Sequence, residues 1–125
     1  MFIDLDDFKE VNDTLGHDCG DAVLVEIAAR LKRSVRAGDI VARYGGDEFV
    51  ILLTSLSAPD DLRATEDKIR SIVEAPTTLG RHVIRVGISI GWSLYPTEGQ
   101  DIDALIKTAD TRMFESKRAR KGGGT

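Results

Sequence analysis

The sequence predicts an α/β fold of the α+β kind, an antiparallel-rich sheet flanked by helices. Three observations point there. The 125 residues are 42% hydrophobic and 30% charged, the balance of one soluble globular domain with a proper core. Two β-branched runs, "IVARY" and "FVILL", are separated by only four residues and form a hairpin. Segments with helical spacing of apolar residues lie on either side of that hairpin.

The elements follow in order. "MFIDL" is short, apolar and strand-like. "DDFKEVNDTLGHDCGD" is polar and reads as a loop with a helical turn. From Asp21, Leu24, Ile27, Ala28, Leu31 and Val35 recur at helical spacing, and Gly38 in "RAGD" closes that helix. After the hairpin, "SLSAPDDL" opens a second helix with Pro59 and acids in its first turn. Leu62, Ile69, Ile72 and Val73 form its apolar stripe, and Pro76 ends it. "TTLGRH" holds a glycine turn. "VIRVGISIGWSLYP" reads as one long strand, with Ile84, Val86, Ile88, Ile90, Trp92 and Leu94 on one face. The opposite face carries Gly87, Ser89, Gly91 and Ser93, small enough for close packing. Asp101 caps a third helix with Ile102, Leu105, Ile106, Ala109 and Met113 inward. The domain spans residues 1–119, and 120–125 form a basic flexible tail.

The first six elements have the split β-α-β order of ferredoxin-like domains. In that topology the first strand lies antiparallel to the third. The exit of the first strand, Asp4 to Asp7, and the hairpin tip, Gly45 to Glu48, then share one end of the sheet.

Bulk properties exclude several classes. A net charge of −4 and a pI near 5.1 argue against a nucleic-acid partner, which needs a basic face. No apolar run approaches membrane-spanning length, and the acidic start lacks the basic region of a signal peptide. The single Cys19 suits a reducing, cytoplasmic setting.

The converging acids carry the chemistry. Asp4, Asp6 and Asp7 would meet Asp47 and Glu48, and like charges repel unless a cation joins them. Oxygen-only ligands suit Mg²⁺, which completes its shell with water and substrate phosphates. A pair of such ions can clamp the attacking and leaving oxygens at phosphorus. By itself a Gly-Gly-Asp turn is also what an ordinary solvated hairpin tip looks like. The second acidic cluster brings the two readings level.

"RYGGDEFVILL", preceded by "FIDLDDFKEVNDTLGHDCGD" and followed by "ISIGWS" and "ADTRMFESK", resembles the GGDEF family of diguanylate cyclases over nearly the whole chain. The resemblance implies a palm-type, nucleotide cyclase-like sheet and the condensation of two GTP into cyclic di-GMP. It implies Mg²⁺, two ions per GTP site with Mn²⁺ as a substitute, held by Asp4, the Leu5 carbonyl, Asp47 and Glu48. It makes Asp47 the proton acceptor for the 3′-hydroxyl, Glu48 its acidic partner and Lys9 the transition-state stabiliser. Backbone amides of Asp7, Phe8 and Lys9 would wrap the phosphates. Asn12 and Asp21 match the guanine-reading pair, and His17 lies between them. Lys117 matches a triphosphate contact.

The family continues with Gly-Arg-Asn where this chain reads "RKG", so Lys121 supplies charge without a two-pronged guanidinium. "RAGD" fits the family's RxxD inhibitory motif, placing Arg36 and Asp39 at a product site, with Arg63 a secondary contact. The family also carries an upstream helix and an Asp-x-Leu-Thr turn, so the sequence reads as an N-terminally truncated domain. A homodimer is implied, because each GTP must attack the other. A second reading is an impaired module of the same fold that binds GTP or cyclic di-GMP without turnover, and a third is a nucleotidyl transferase or cyclase of the same palm-like fold using another base, against which Asn12 and Asp21 argue.

Overall fold

The structure, a computed structural model, describes residues 1–54 and 59–123, with backbone only at 59 and 120–123. Six strands and four helices follow in the order β1 (Phe2–Asp6), α1 (Phe8–Leu15), α2 (His17–Ser34), β2 (Ile40–Arg43), β3 (Glu48–Leu52), α3 (Pro59–Val73), β4 (Thr77–Leu79), β5 (His82–Ile84), β6 (Gly87–Gly91) and α4 (Ile102–Gly123). The main sheet has the order β2-β3-β1-β6, antiparallel throughout. That is the ferredoxin-like arrangement, with β1 beside β3 as its topology requires.

Side chains on a strand alternate between faces, so the pairing sorts the residues. Ile3 and Leu5 of β1, Phe49 and Ile51 of β3, and Ile88 and Ile90 of β6 share one buried face. Val23, Ile27 and Leu31 of α2 and Ile69 and Val73 of α3 pack in the same core. The opposite face holds Phe2, which packs with Ala109 and Met113 of α4. Asp4 and Asp6 are in phase with Phe2, so they point to the α4 side. Glu48 and Ser89, directly opposite Asp4 on its two neighbours, point there too. The small residues of β6 do admit close packing: a side chain at Gly91 would collide with the backbone of Ala109 and Met113.

Four local expectations are corrected. Residues 8–15 form a helix rather than a loop, because Phe8, Val11 and Leu15 lie at helical spacing and join the core. Helix α2 accordingly begins at His17 rather than Asp21, with only Gly16, at φ 91°, between the two helices. The long strand over 83–96 is instead two strands in different sheets. β5 pairs with β4, β6 pairs with β1, and the chain changes sheets at Arg85 and Val86; Trp92 and Leu94 lie past the end of β6. Asp101 does cap α4, accepting from the Ala104 amide at 2.8 Å, but Ile102 is exposed rather than inward. Residues 55–58 of the expected "SLSAPDDL" opening lie outside the described residues.

Candidate active site

The exit of β1 and the tip of the β2–β3 hairpin do share one rim. Asp4 pairs with Glu48 across the β1–β3 ladder, and the Leu5 amide donates to the Asp47 carbonyl at 3.1 Å. The turn is closed by the Tyr44 amide, which donates to the Glu48 carbonyl at 2.8 Å. Neither glycine of this turn has a left-handed φ. A side chain at Gly45 would strike the Glu48 carboxylate, whereas one at Gly46 would meet nothing within 4 Å. Nothing within the described chain requires glycine at 46, so its open side is free for something from outside to approach.

The acids at this rim are poorly neutralised. Burial first, then the charge of Asp4, raises the pKa of Asp47. The Glu48 pKa is raised by burial and by Asp4 and Asp47. Lys117, on α4, supplies the local cation. Its ammonium donates to Asp4 Oδ2 at 2.7 Å and lies 4.0 Å from Asp6 Oδ1. Burial opposes that charge, but the hydrogen bond and charge of Asp4, with Asp6 and Asp47, leave the Lys117 pKa raised. Asp6 Oδ1 also accepts from the Ser89 hydroxyl at 2.8 Å.

Asp4 Oδ1 is buried with no hydrogen-bond partner. An orphaned carboxylate oxygen beside two further carboxylates, with no nitrogen or sulfur donor in the set, fits a hard divalent cation. The Leu5 side chain is core, so only its backbone could contribute. Among the described residues no group of three or more His, Cys, Asp or Glu is drawn together as a ready-made cage.

The chain leaves β1 through Asp7, a non-glycine residue in the left-handed region at φ 59°. Such a conformation costs on the order of 1 kcal/mol or more and recurs at functional sites. It turns the backbone sharply into α1, whose N-terminus has no side-chain cap. The Glu10 amide donates to the Asp7 carbonyl at 3.1 Å, which leaves the amides of Phe8 and Lys9 to face an anion. Phe8 anchors this turn in the core, and Lys9 beside it is exposed. Asn12, half-buried on α1, lies against Gly20 of α2, where any side chain would strike its amide. Gly20 thus lets Asn12 sit one residue from Asp21 of the facing helix. Asp21 is exposed and lines a cavity of about 330 Å³ with Leu24, Val41, Arg43 and Phe49. His17 is exposed at the first residue of α2. The side chain of Lys121 lies outside the described residues.

Arg36 and Asp39 occupy the other end of the hairpin, before β2. The Asp39 carboxylate accepts from the Arg36 amide at 3.0 Å, and from the Thr54 amide at 3.0 Å and hydroxyl at 3.2 Å. Burial opposes its charge, but these bonds outweigh it and hold the pKa below the ordinary carboxylate value. Arg63 is exposed on α3. One residue escaped the sequence reading: Arg43, whose guanidinium grips the signature turn. Its only signal was an arginine placed immediately before that turn.

An antiparallel palm-type sheet that gathers acids at the exit of its first strand and at a hairpin tip is a nucleotide cyclase-like architecture. Comparison with known proteins narrows this. Residues 1–123 match the family model "Diguanylate cyclase, GGDEF domain", and the chain belongs to that family. It is 42% identical over 123 residues to the bifunctional diguanylate cyclase/cyclic di-GMP phosphodiesterase MucR of Pseudomonas aeruginosa, covering 98% of this chain and 18% of MucR. The crystal structure of the GGDEF domain of TpbB from the same organism superposes with a TM-score of 0.90 at 43% identity, covering 94% of this chain and 74% of that one. The GGDEF domain of DgcB from Caulobacter crescentus, solved in complex with c-di-GMP, has a TM-score of 0.81 at 29% identity, covering 94% and 70%. The chain spans 28% of full-length TpbB, as it spans a minor part of MucR. Among the described residues no helix is long and apolar enough to cross a membrane.

Proposed function

We propose that this domain condenses two GTP molecules into cyclic di-GMP and two pyrophosphates, across a two-fold homodimer. The observation that carries the reading is the shared rim of Asp4, Asp47 and Glu48, with Asp4 Oδ1 buried and unpartnered. Asp4, the Leu5 carbonyl, Asp47 and Glu48 would hold Mg²⁺, two ions per GTP, with Mn²⁺ able to replace it. When bound, the metal supplies Lewis acidity to the phosphates and the 3′-hydroxyl.

The chain's own residues do the rest. Asp47 accepts the 3′-hydroxyl proton. Amides at Asp7, Phe8 and Lys9 hold the terminal phosphates. The Lys9 ammonium meets charge building on them in the transition state. Lys117 releases Asp4 and turns to the triphosphate, and Lys121 adds charge near it. The Asn12 amide and the Asp21 carboxylate read guanine's O6 and its N1 and N2 donors, a pattern adenine does not offer. His17 borders the same pocket. Each domain binds one nucleotide, so two domains must face each other to align both 3′-hydroxyls with the opposite α-phosphates. Arg36, Asp39 and, secondarily, Arg63 form a product-inhibition site at the far end of the hairpin.

The test is direct. The purified domain, incubated with GTP and Mg²⁺, should yield cyclic di-GMP and pyrophosphate, and ATP should yield neither dinucleotide. Equal turnover of ATP, or no product from GTP at any protein concentration, overturns the cyclase reading. Calorimetry with cyclic di-GMP then decides whether the domain only binds nucleotide.

A further inference from the structure

The signature turn has a problem that its two glycines create. Glycine gives the backbone the most freedom to lose, so a Gly-Gly turn is intrinsically loose. Yet Asp47 follows it directly, and catalytic groups tolerate misplacement of only a fraction of an ångström. Something must hold the turn still.

Arg43 is placed to do so. It is the last residue of β2, an edge strand of the main sheet. Its Nε donates to the Gly45 carbonyl at 3.1 Å and to the Gly46 carbonyl at 3.2 Å, and its Nη2 donates to Gly46 at 2.7 Å. A planar guanidinium with several fixed donors can chelate two successive carbonyls; a lysine ammonium lacks that fork. The direction of approach matters too. Arg43 pairs with Phe49, so it shares the α2 face of the sheet and lines the cavity that Asp21 borders. Glu48 and Asp4 are on the α4 face. The arginine therefore ties down the turn from the side opposite the carboxylates, leaving their face open.

We infer that Arg43 is a positioning residue of the cyclase site. It chelates the Gly45 and Gly46 carbonyls and thereby fixes Asp47 and Glu48 against Asp4, without itself binding GTP. The inference rests on the cyclase reading for its catalytic half. The strap itself does not depend on that reading.

The test uses Arg43→Met, which keeps the aliphatic stem and its packing, and Arg43→Lys, which keeps the charge. Two readouts are needed. The first is amide hydrogen exchange of residues 44–48 without nucleotide. Exchange there should speed up by about 10-fold in Arg43→Met, with the α2 and α3 amides unchanged. The second is steady-state turnover of GTP. In Arg43→Met kcat should fall by about 10- to 100-fold while KM stays within about threefold, the pattern of a displaced catalytic group. Arg43→Lys should fall between the two proteins, and added methylguanidinium should partly restore Arg43→Met. Unchanged exchange in the turn overturns the strap. A large rise in KM with kcat intact also overturns the inference, because Arg43 would then be a substrate contact. If the parent domain makes no cyclic di-GMP, the cyclase reading fails, and the exchange result alone judges the strap.

Discussion

The two ends of the β2–β3 hairpin treat the same side chain in opposite ways. At the open end Asp39 is fully employed: backbone and hydroxyl donors from Arg36 and Thr54 surround its carboxylate and hold its pKa down. At the closed end Asp47 is crowded by burial and by Asp4, and its pKa is pushed up. The fold's own donors stabilise the Asp39 charge, whereas the neighbours of Asp47 disfavour its charge. An acid that the fold has satisfied is held in place by it, and any ligand contact there is made in addition. An acid left underserved beside others of the same sign has the electrostatics expected of a binding or reacting group.

The largest expected effect breaks the comparison at the closed end. Asp47→Asn should lower the rate of cyclic di-GMP formation by about 10³-fold, in the range of lost proton transfer. Thermal unfolding should show no loss of stability, since a repelled charge is removed. A clear fall in Tm would mean that Asp47 is as structural as Asp39.

Gly46→Ala comes next. No neighbour lies within 4 Å of the new methyl group, so stability should hold while turnover falls by about 10-fold or more. An alanine variant with full activity would show that nothing approaches the turn there.

Lys117→Met sharpens the electrostatic side. The ammonium occupies the neighbourhood of Asp4 that a cation would take, so its removal should tighten Mn²⁺ binding without nucleotide. A gain on the order of 10-fold is expected, one ionic interaction at a partly exposed site. Paramagnetic resonance titration measures it directly, and weaker Mn²⁺ binding would contradict the exchange of ammonium for metal.

The smallest effect belongs to the open end. Asp39→Ala should cost about 1 kcal/mol at neutral pH, the value of bonds to a charged acceptor discounted for exposure. The pH dependences should have opposite signs. The Asp39 contribution is present above the ordinary carboxylate pKa and is lost as pH falls through the lowered one. For Asp47 and Glu48 the folded state keeps protons that the unfolded chain has released, so stability declines as pH rises from the ordinary value through the raised one. Denaturation of both variants between pH 3 and 7 should remove one slope each (the pH range is about that of carboxylate titration).

Much of this was legible in the residues themselves. Period-2 alternation and the four-residue break in "VARYGGDEFVILL" mark the hairpin and its acidic tip. Chain order and crossover handedness bring that tip to the exit of β1. The helix over 8–15 was obscured because Phe8, Val11 and Leu15 are its only apolar anchors among acids, Asn and Thr. The split between β5 and β6 was hidden because the apolar alternation runs unbroken through the point where the chain changes sheets.

By itself the sequence determined the strand order, the grouping of Asp4, Asp47 and Glu48 at one rim, and the family. These follow from short-range periodicity and from the few ways a twisted sheet can be connected. Only the tertiary structure decided which charges are balanced. Lys117 meets Asp4 across 113 positions because α4 packs closely on Gly91, and the Asp39 charge is satisfied by Thr54, just past the end of β3. A carboxylate's proton affinity depends on burial and on the donors within a few ångströms, and those neighbours exist only once the faces of the sheet are covered.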